Sequence, residues 1–239
     1  MSSPFAVLLF DIDGTLVDAG GAGRRALEKA LEAHLGAFVR PQKEFLAGVR
    51  LDGMTDRLIV REATMAAGHP YDEALCDRIL DSYGDELERG IADTGYRVLP
   101  GVEDLLCELR NRDIVFGLCT GNILRGARIK LSRGGLDRYF RFCANDIHGF
   151  GSDGEARERI IEAALHRASE RLGRRILPKE ALIVGDTPRD IAAARSTGCP
   201  VLAVATGRFG VEALRAEGAN HVVPSLEGAG VTAFMLGNA

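Results

Sequence analysis

From about residue 96 to the end of the chain, short apolar runs rich in β-branched residues alternate with segments whose apolar residues recur at helical spacing. That alternation is the signature of βαβ units and restricts the fold to the α/β class, a parallel sheet with helices on its faces. Residues 114–119, 181–184, 201–204 and 221–223 read as strands, with 140–143 a weaker one. Residues 102–112, 123–133, 155–172, 188–197 and 211–217 read as the intervening helices. One further run, Val7-Leu8-Leu9-Phe10, stands apart at the N-terminus and ends in Asp11-Ile12-Asp13-Gly14-Thr15. Between residues 19 and 95 the alternation stops and helical periodicity takes over, so this stretch is expected to be an all-helical insert. Gly20-Gly21-Ala22-Gly23 and Leu99-Pro100-Gly101 bracket it as turn-rich crossings suited to hinges. The expected organisation is a core of 1–18 with 96–239 and a helical unit of 19–95.

Composition narrows what such a chain does. Thirty basic and 34 acidic residues, net charge -4, are spread along the length without the basic stripe that nucleic-acid binding needs. No apolar run reaches the length of a membrane span, and Met1-Ser2-Ser3-Pro4 lacks the charged and apolar regions of a secretory signal. A cytoplasmic protein without nucleic-acid or membrane partners is expected. Five scattered cysteines fit a reducing compartment better than a disulfide framework, and five histidines show no zinc-ligand spacing.

Three of the strands end in polar residues: Asp11, Thr120 and Asp186. In an open parallel sheet the C-terminal edge is where ligands bind, so these residues can converge. Each also has a plainer reading. An Asp-Gly turn accounts for Asp13-Gly14 but not for Asp11, which adds a second charge on the same face if the chain stays extended. Thr120-Gly121-Asn122 either caps a helix or offers a hydroxyl and backbone N–H groups to a phosphate oxygen. In Gly185-Asp186-Thr187-Pro188-Arg189-Asp190, Asp186 is a metal-ligand candidate, whereas Thr187 and Asp190 fit an N-terminal capping box that places Asp190 behind the ligands.

Asp11, Asp13 and Asp186 cannot converge fully ionised without a cation. An oxygen-only donor set with no Cys or His suits a hard ion, and a carboxylate-plus-phosphate site suits Mg2+. A basic residue should then meet the substrate's charge. Lys130 lies on the order of 12 Å along the helix from Asn122, too far unless the helix is displaced, and Lys179 precedes a strand at the opposite sheet edge. Arg157, opening the helix after Phe150-Gly151-Ser152-Asp153-Gly154, is the better placed cation.

With these residues in hand, the chain resembles the haloacid dehalogenase-like hydrolase superfamily, in its phosphatase branch with a helical cap, similar to phosphoglycolate phosphatases. The family's first motif corresponds to Asp11-Ile12-Asp13-Gly14-Thr15, its second to Thr120-Gly121-Asn122 and its fourth to the Gly185–Asp190 stretch. Its third motif is usually a lysine, and Arg157 stands at the matching place. The resemblance implies a Rossmann-like core with a cap inserted after the first motif. It implies Asp11 as nucleophile toward a phosphomonoester and Asp13 as general acid and base. Mg2+ would be held by Asp11, Asp186 and the backbone carbonyl of Asp13, and the phosphoryl oxygens by Thr120, Gly121, Asn122 and Arg157. Asp13 disfavours dehalogenation and phosphonate hydrolysis, because the relatives that perform them lack an acid there.

Substrate choice falls to the cap, where Arg24, Arg50, Thr55 and Asp56 occupy or flank glycine-containing turns. A small phosphorylated metabolite, phosphoglycolate or a sugar phosphate, is the expected partner. The alternatives are a phosphosugar mutase, whose relatives keep both aspartates, and a binding or regulatory protein with an impaired site.

Overall fold

A computed structural model of the chain describes residues 4–36, 44–93, 95–143 and 146–237. Five parallel strands form one sheet in the order β4-β1-β5-β6-β7: β1 (Val7–Phe10), β4 (Phe116–Leu118), β5 (Ala181–Gly185), β6 (Val201–Val204) and β7 (His221–Val223). Strand side chains alternate faces, and both faces are apolar. Leu8, Phe10, Leu118, Leu182, Val184, Leu202 and Val204 enter one core cluster; Val7, Leu9, Ile183, Val201 and Ala203 enter another. The first cluster is covered by α4 (Val102–Asn111), α5 (Leu124–Arg133) and α9 (Ala229–Leu236). Helices α6 (Arg157–Leu172), α7 (Pro188–Thr197) and α8 (Val211–Ala216) cover the second. The result is the expected three-layer, Rossmann-like α/β arrangement, and no helix among the described residues is long and apolar enough to cross a membrane.

β1 lies between β4 and β5, with Phe10 level with Leu118 on one side and Val184 on the other. The chain therefore leaves β1 for one neighbour and returns later to the other. That switch opens a crevice at the strands' C-terminal ends.

The stretch after β1 holds α1 (Ala22–Leu35), α2 (Asp56–Ala66) and α3 (Glu73–Gly90), packed around their own apolar cluster that includes Leu27, Leu31, Leu35, Ile59, Ile79 and Tyr83. The two crossings between this helical segment and the sheet run side by side. They pair as an antiparallel ribbon, β2 (Val17–Asp18) with β3 (Arg97–Val98), so the segment stands on two joined legs.

One expected strand is absent. Residues 140–143 do not join the sheet, because the position beside the end of β4 is taken by Gly149. Its N–H donates to the Leu118 carbonyl at 2.8 Å, and its own carbonyl accepts from Thr120 N–H at 3.1 Å. Phe140 and Phe142 spend their apolar alternation on a ring cluster instead, with Phe116 5.6 Å from Phe140 and His148 5.5 Å from Phe142.

Candidate active site

Asp11 leaves β1 in line with the neighbouring strand ends, its N–H donating to the Val184 carbonyl at 2.8 Å. β1 ends at Phe10, and the chain then turns through Asp13-Gly14, where Gly14 adopts a φ of 77°. A side chain at Gly14 would strike the Asp186 carboxylate, so only glycine lets this loop and β5 meet. The turn sends the two acids to different partners. Asp11 is buried against Arg157, whose Nη2 is 3.2 Å from Asp11 Oδ2. The Asp13 side chain is 45% exposed and accepts at Oδ2 from Asn122 Nδ2 (2.8 Å) and Lys130 Nζ (2.6 Å).

Thr120, just past the end of β4, is fully buried, and its hydroxyl works against the rise in the Asp11 carboxyl. Asn122 folds back on it, with Nδ2 donating to Thr120 Oγ1 at 2.8 Å. Gly121 runs against the helical segment: its carbonyl accepts from Asp56 N–H at 2.9 Å, and a Cβ there would collide with the Met54 carbonyl. Asp186 follows β5 and accepts from Thr15 Oγ1 at 3.3 Å.

Carboxylate oxygens of Asp11, Asp186 and Asp190 lie within 4.8 Å of one another, all buried. Burial pushes the Asp11 carboxyl up to about 6, with the neighbouring Asp190 adding to the rise against the pull of Arg157. Asp186 is raised well above the carboxylate range by burial and by Asp190 and Asp11. Arg157 is itself held above its ordinary value, since Asp190 and Asp11 outweigh the cost of burying it. Charge of this density fits a divalent, oxygen-seeking cation. The three acids do not have equal lone pairs to offer. Asp190 Oδ1 is bonded by Arg157, and its Oδ2 accepts from Thr187 N–H (3.0 Å) and Thr187 Oγ1 (2.6 Å), the capping box at the start of α7. Asp11 and Asp186 are less heavily engaged, so they are the ones with oxygens to give an ion.

A cavity of about 470 Å3 opens above these groups. Asp11, Asp13, Asn122, Arg157 and Asp186 line it from the sheet side and Arg24, Asp56 and Tyr83 from the helical segment. Three of the four residues expected to choose the substrate separate here. Arg24 lines the cavity, though its guanidinium donates to the carbonyls of Val49 (3.1 Å) and Leu46. Arg50 is exposed and does not line it. Thr55 is fully buried and is the N-cap of α2: its hydroxyl accepts from Leu58 N–H at 3.2 Å and donates to the Glu155 carbonyl at 3.0 Å. It binds the helical segment to the core and not a ligand.

Lys130 reaches the site, contrary to expectation. Its distance along α5 is one between backbone positions. Helical side chains lean toward the N-terminus, and a lysine spans several ångströms, which returns the ammonium to Asn122 Oδ1 at 2.6 Å and to Asp13. Burial works against its charge, but Asp13, Tyr83 and Asp56 outweigh that and hold it above its ordinary value. A partial signal was available: Gly126, one turn earlier on the same face, leaves room that Tyr83 fills, and Lys130 meets the hydroxyl of that ring. Asp56 lines the cavity and is tied to the start of α5. Its Oδ2 accepts from Ile123 N–H at 2.8 Å, and burial pushes its carboxyl up to about 6 despite the nearby Lys130.

The model of the haloacid dehalogenase-like hydrolase family matches residues 8–204. The chain is 28% identical over 201 residues to the phosphoglycolate phosphatase of Synechococcus elongatus, covering 84% of each. It is also 28% identical over 207 residues to phosphoglycolate phosphatase 1 of Pseudomonas aeruginosa, covering 84% of this chain and 70% of that one. Among solved structures, CbbY from Rhodobacter sphaeroides in complex with phosphate has the same fold, with a TM-score of 0.70 at 19% identity over 97% of this chain and 99% of the other. Because the family match runs unbroken from β1 through β6 and takes in every strand end that lines the crevice, the chain belongs to the haloacid dehalogenase-like hydrolases.

Proposed function

We propose that the protein is a magnesium-dependent phosphatase that hydrolyses a small phosphomonoester of the phosphoglycolate or sugar phosphate type through an aspartyl-phosphate at Asp11. The observation that carries this reading is the meeting of Asp11, Asp186 and Asp190 within 4.8 Å, with Arg157 beside Asp11. Three acids and a guanidinium drawn from separate strand and helix ends form a site for a cation and a phosphoryl group together. The relatives named as phosphoglycolate phosphatases support the ester class.

Asp11 attacks phosphorus, forming an Asp11 O–P bond as the bond to the ester oxygen breaks. Asp13 hands its proton to that departing oxygen, then takes one from the water that attacks the phosphorus, releasing phosphate and Asp11. Thr120 and Arg157 hold Asp11 for attack and, with the N–H groups of Gly121 and Asn122, receive the phosphoryl oxygens. Asp190 keeps Arg157 in place. Asp11, Asp186 and the Asp13 carbonyl would hold Mg2+, which supplies charge neutralisation for the phosphoryl group. The helical segment roofs the cavity as a cap over residues 19–95, excluding water and limiting substrate size.

Phosphate release from p-nitrophenyl phosphate and from a panel of phosphorylated metabolites, with and without magnesium, tests the proposal. Magnesium-dependent release that disappears in Asp11→Asn is expected. Release that survives both chelation and that substitution would rule out the chemistry.

A further inference from the structure

Lys130 draws its partners from both halves of the molecule. On the sheet side its ammonium donates to Asp13 Oδ2 and Asn122 Oδ1, each at 2.6 Å. On the other side it faces the Tyr83 hydroxyl and the Asp56 carboxylate. It also lies so close to Gly23 that a Cβ there would come within 3.4 Å of Nζ. Gly23 belongs to α1, Asp56 to α2 and Tyr83 to α3, so each of these three helices reaches this one core lysine. Asn122 reinforces it by donating to the same Asp13 oxygen at 2.8 Å. Both bonds fall on Oδ2, which leaves Oδ1 as the oxygen Asp13 offers to the cavity it lines.

We propose that Lys130 is a positioning residue for Asp13. With Asn122 it pins Oδ2 so that Oδ1 meets the leaving oxygen, and α1, α2 and α3 complete this setting when they lie against the sheet. The inference rests on the phosphatase reading above and adds a division of labour to it. Arg157 serves Asp11 and Asp190, whereas Lys130 serves Asp13. A misdirected Asp13 is a poor proton donor, and that deficit matters in proportion to how badly the leaving group needs a proton.

Phenyl phosphate and p-nitrophenyl phosphate present nearly the same ring to the cavity but differ in that need, since p-nitrophenolate leaves readily unprotonated. Comparing kcat/KM for the two, with magnesium, confines the reading to steps up to departure of the phenol. Lys130→Met should lower kcat/KM for phenyl phosphate about 100-fold and for p-nitrophenyl phosphate less than about 10-fold. Tyr83→Phe keeps the ring and removes one contact to the ammonium, so it should give a smaller split in the same direction. It carries the test if Lys130→Met is recovered unfolded by circular dichroism. An equal loss on both esters, or no loss, in a folded variant would overturn the positioning role and leave the phosphatase reading standing. A wild-type protein releasing phosphate, with magnesium, from neither ester and from none of a panel of phosphorylated metabolites would overturn the phosphatase reading itself and this role with it.

Discussion

Asp11 lies where burial and the neighbouring Asp190 make its charge costly, so protons and cations compete for it. In the metal-free protein its carboxyl is raised to about 6, and that of Asp186 is raised as well. As the proposed magnesium ligands, both must lose their protons before an ion binds. Magnesium affinity, followed by calorimetry, should therefore fall as pH drops through 6, by at least about tenfold per pH unit. Affinity unchanged between pH 7 and 5 would contradict the assignment of these ligands. Asp56 gives a stability prediction of a different kind. Its folded value of about 6 exceeds the ordinary 3.8, so the folded state binds the proton more tightly than the unfolded one. The stability this contributes is complete below 3.8 and lost as pH rises through 6. Asn keeps an acceptor for the Ile123 N–H without the charge. Asp56→Asn should accordingly gain thermal stability relative to wild type as pH is raised from 4 to 8, by at most about 3 kcal/mol. A difference that shrinks over that range would show that pairing with Lys130 dominates instead.

Thr55 shows what a single element contributes. Its hydroxyl caps α2 and donates to the Glu155 carbonyl beside α6, joining the helical segment to the core. Thr55→Ala should cost about 1 kcal/mol for the cap, read as a lowered melting temperature. The melting temperature should fall by about 2–4 °C for a chain of this size. Elements with a strong period were legible in the amino-acid pattern: β6 and β7 occupy the residues expected of them, and α7 begins at Pro188 behind its Thr187–Asp190 box. The acids at the strand ends were legible for the same reason, since a buried apolar run announces where its polar end must be. What escaped depended on contacts between elements. Residues 140–143 alternate like a strand, yet Gly149 holds the place beside β4. Lys130 lies in the right helix, but its reach to Asp13 depends on the packing of α5 against α3, a helix far away in sequence.

At the scale of the molecule, a cavity of about 470 Å3 lies between a sheet edge rich in acids and a helical roof. Ties across this boundary include Arg61 with Glu155 at 2.6 Å and Arg125 with Asp85 at 2.6 Å. A roof held this way admits a metabolite more readily than a folded polymer. Phosphate release from small phosphomonoesters should accordingly exceed release from a phosphoserine peptide by at least about 100-fold in kcat/KM. Comparable rates would contradict the role given to the helical segment. Passage of the phosphoryl group through Asp11 is the step on which the proposed chemistry turns, and mass spectrometry of the acid-quenched enzyme during turnover reads it. A phosphoryl adduct is expected on the peptide carrying Asp11 and Asp13, present in the wild type and absent in Asp11→Asn. Rapid turnover with no adduct at any quench time, together with an active Asp11→Asn, would contradict it.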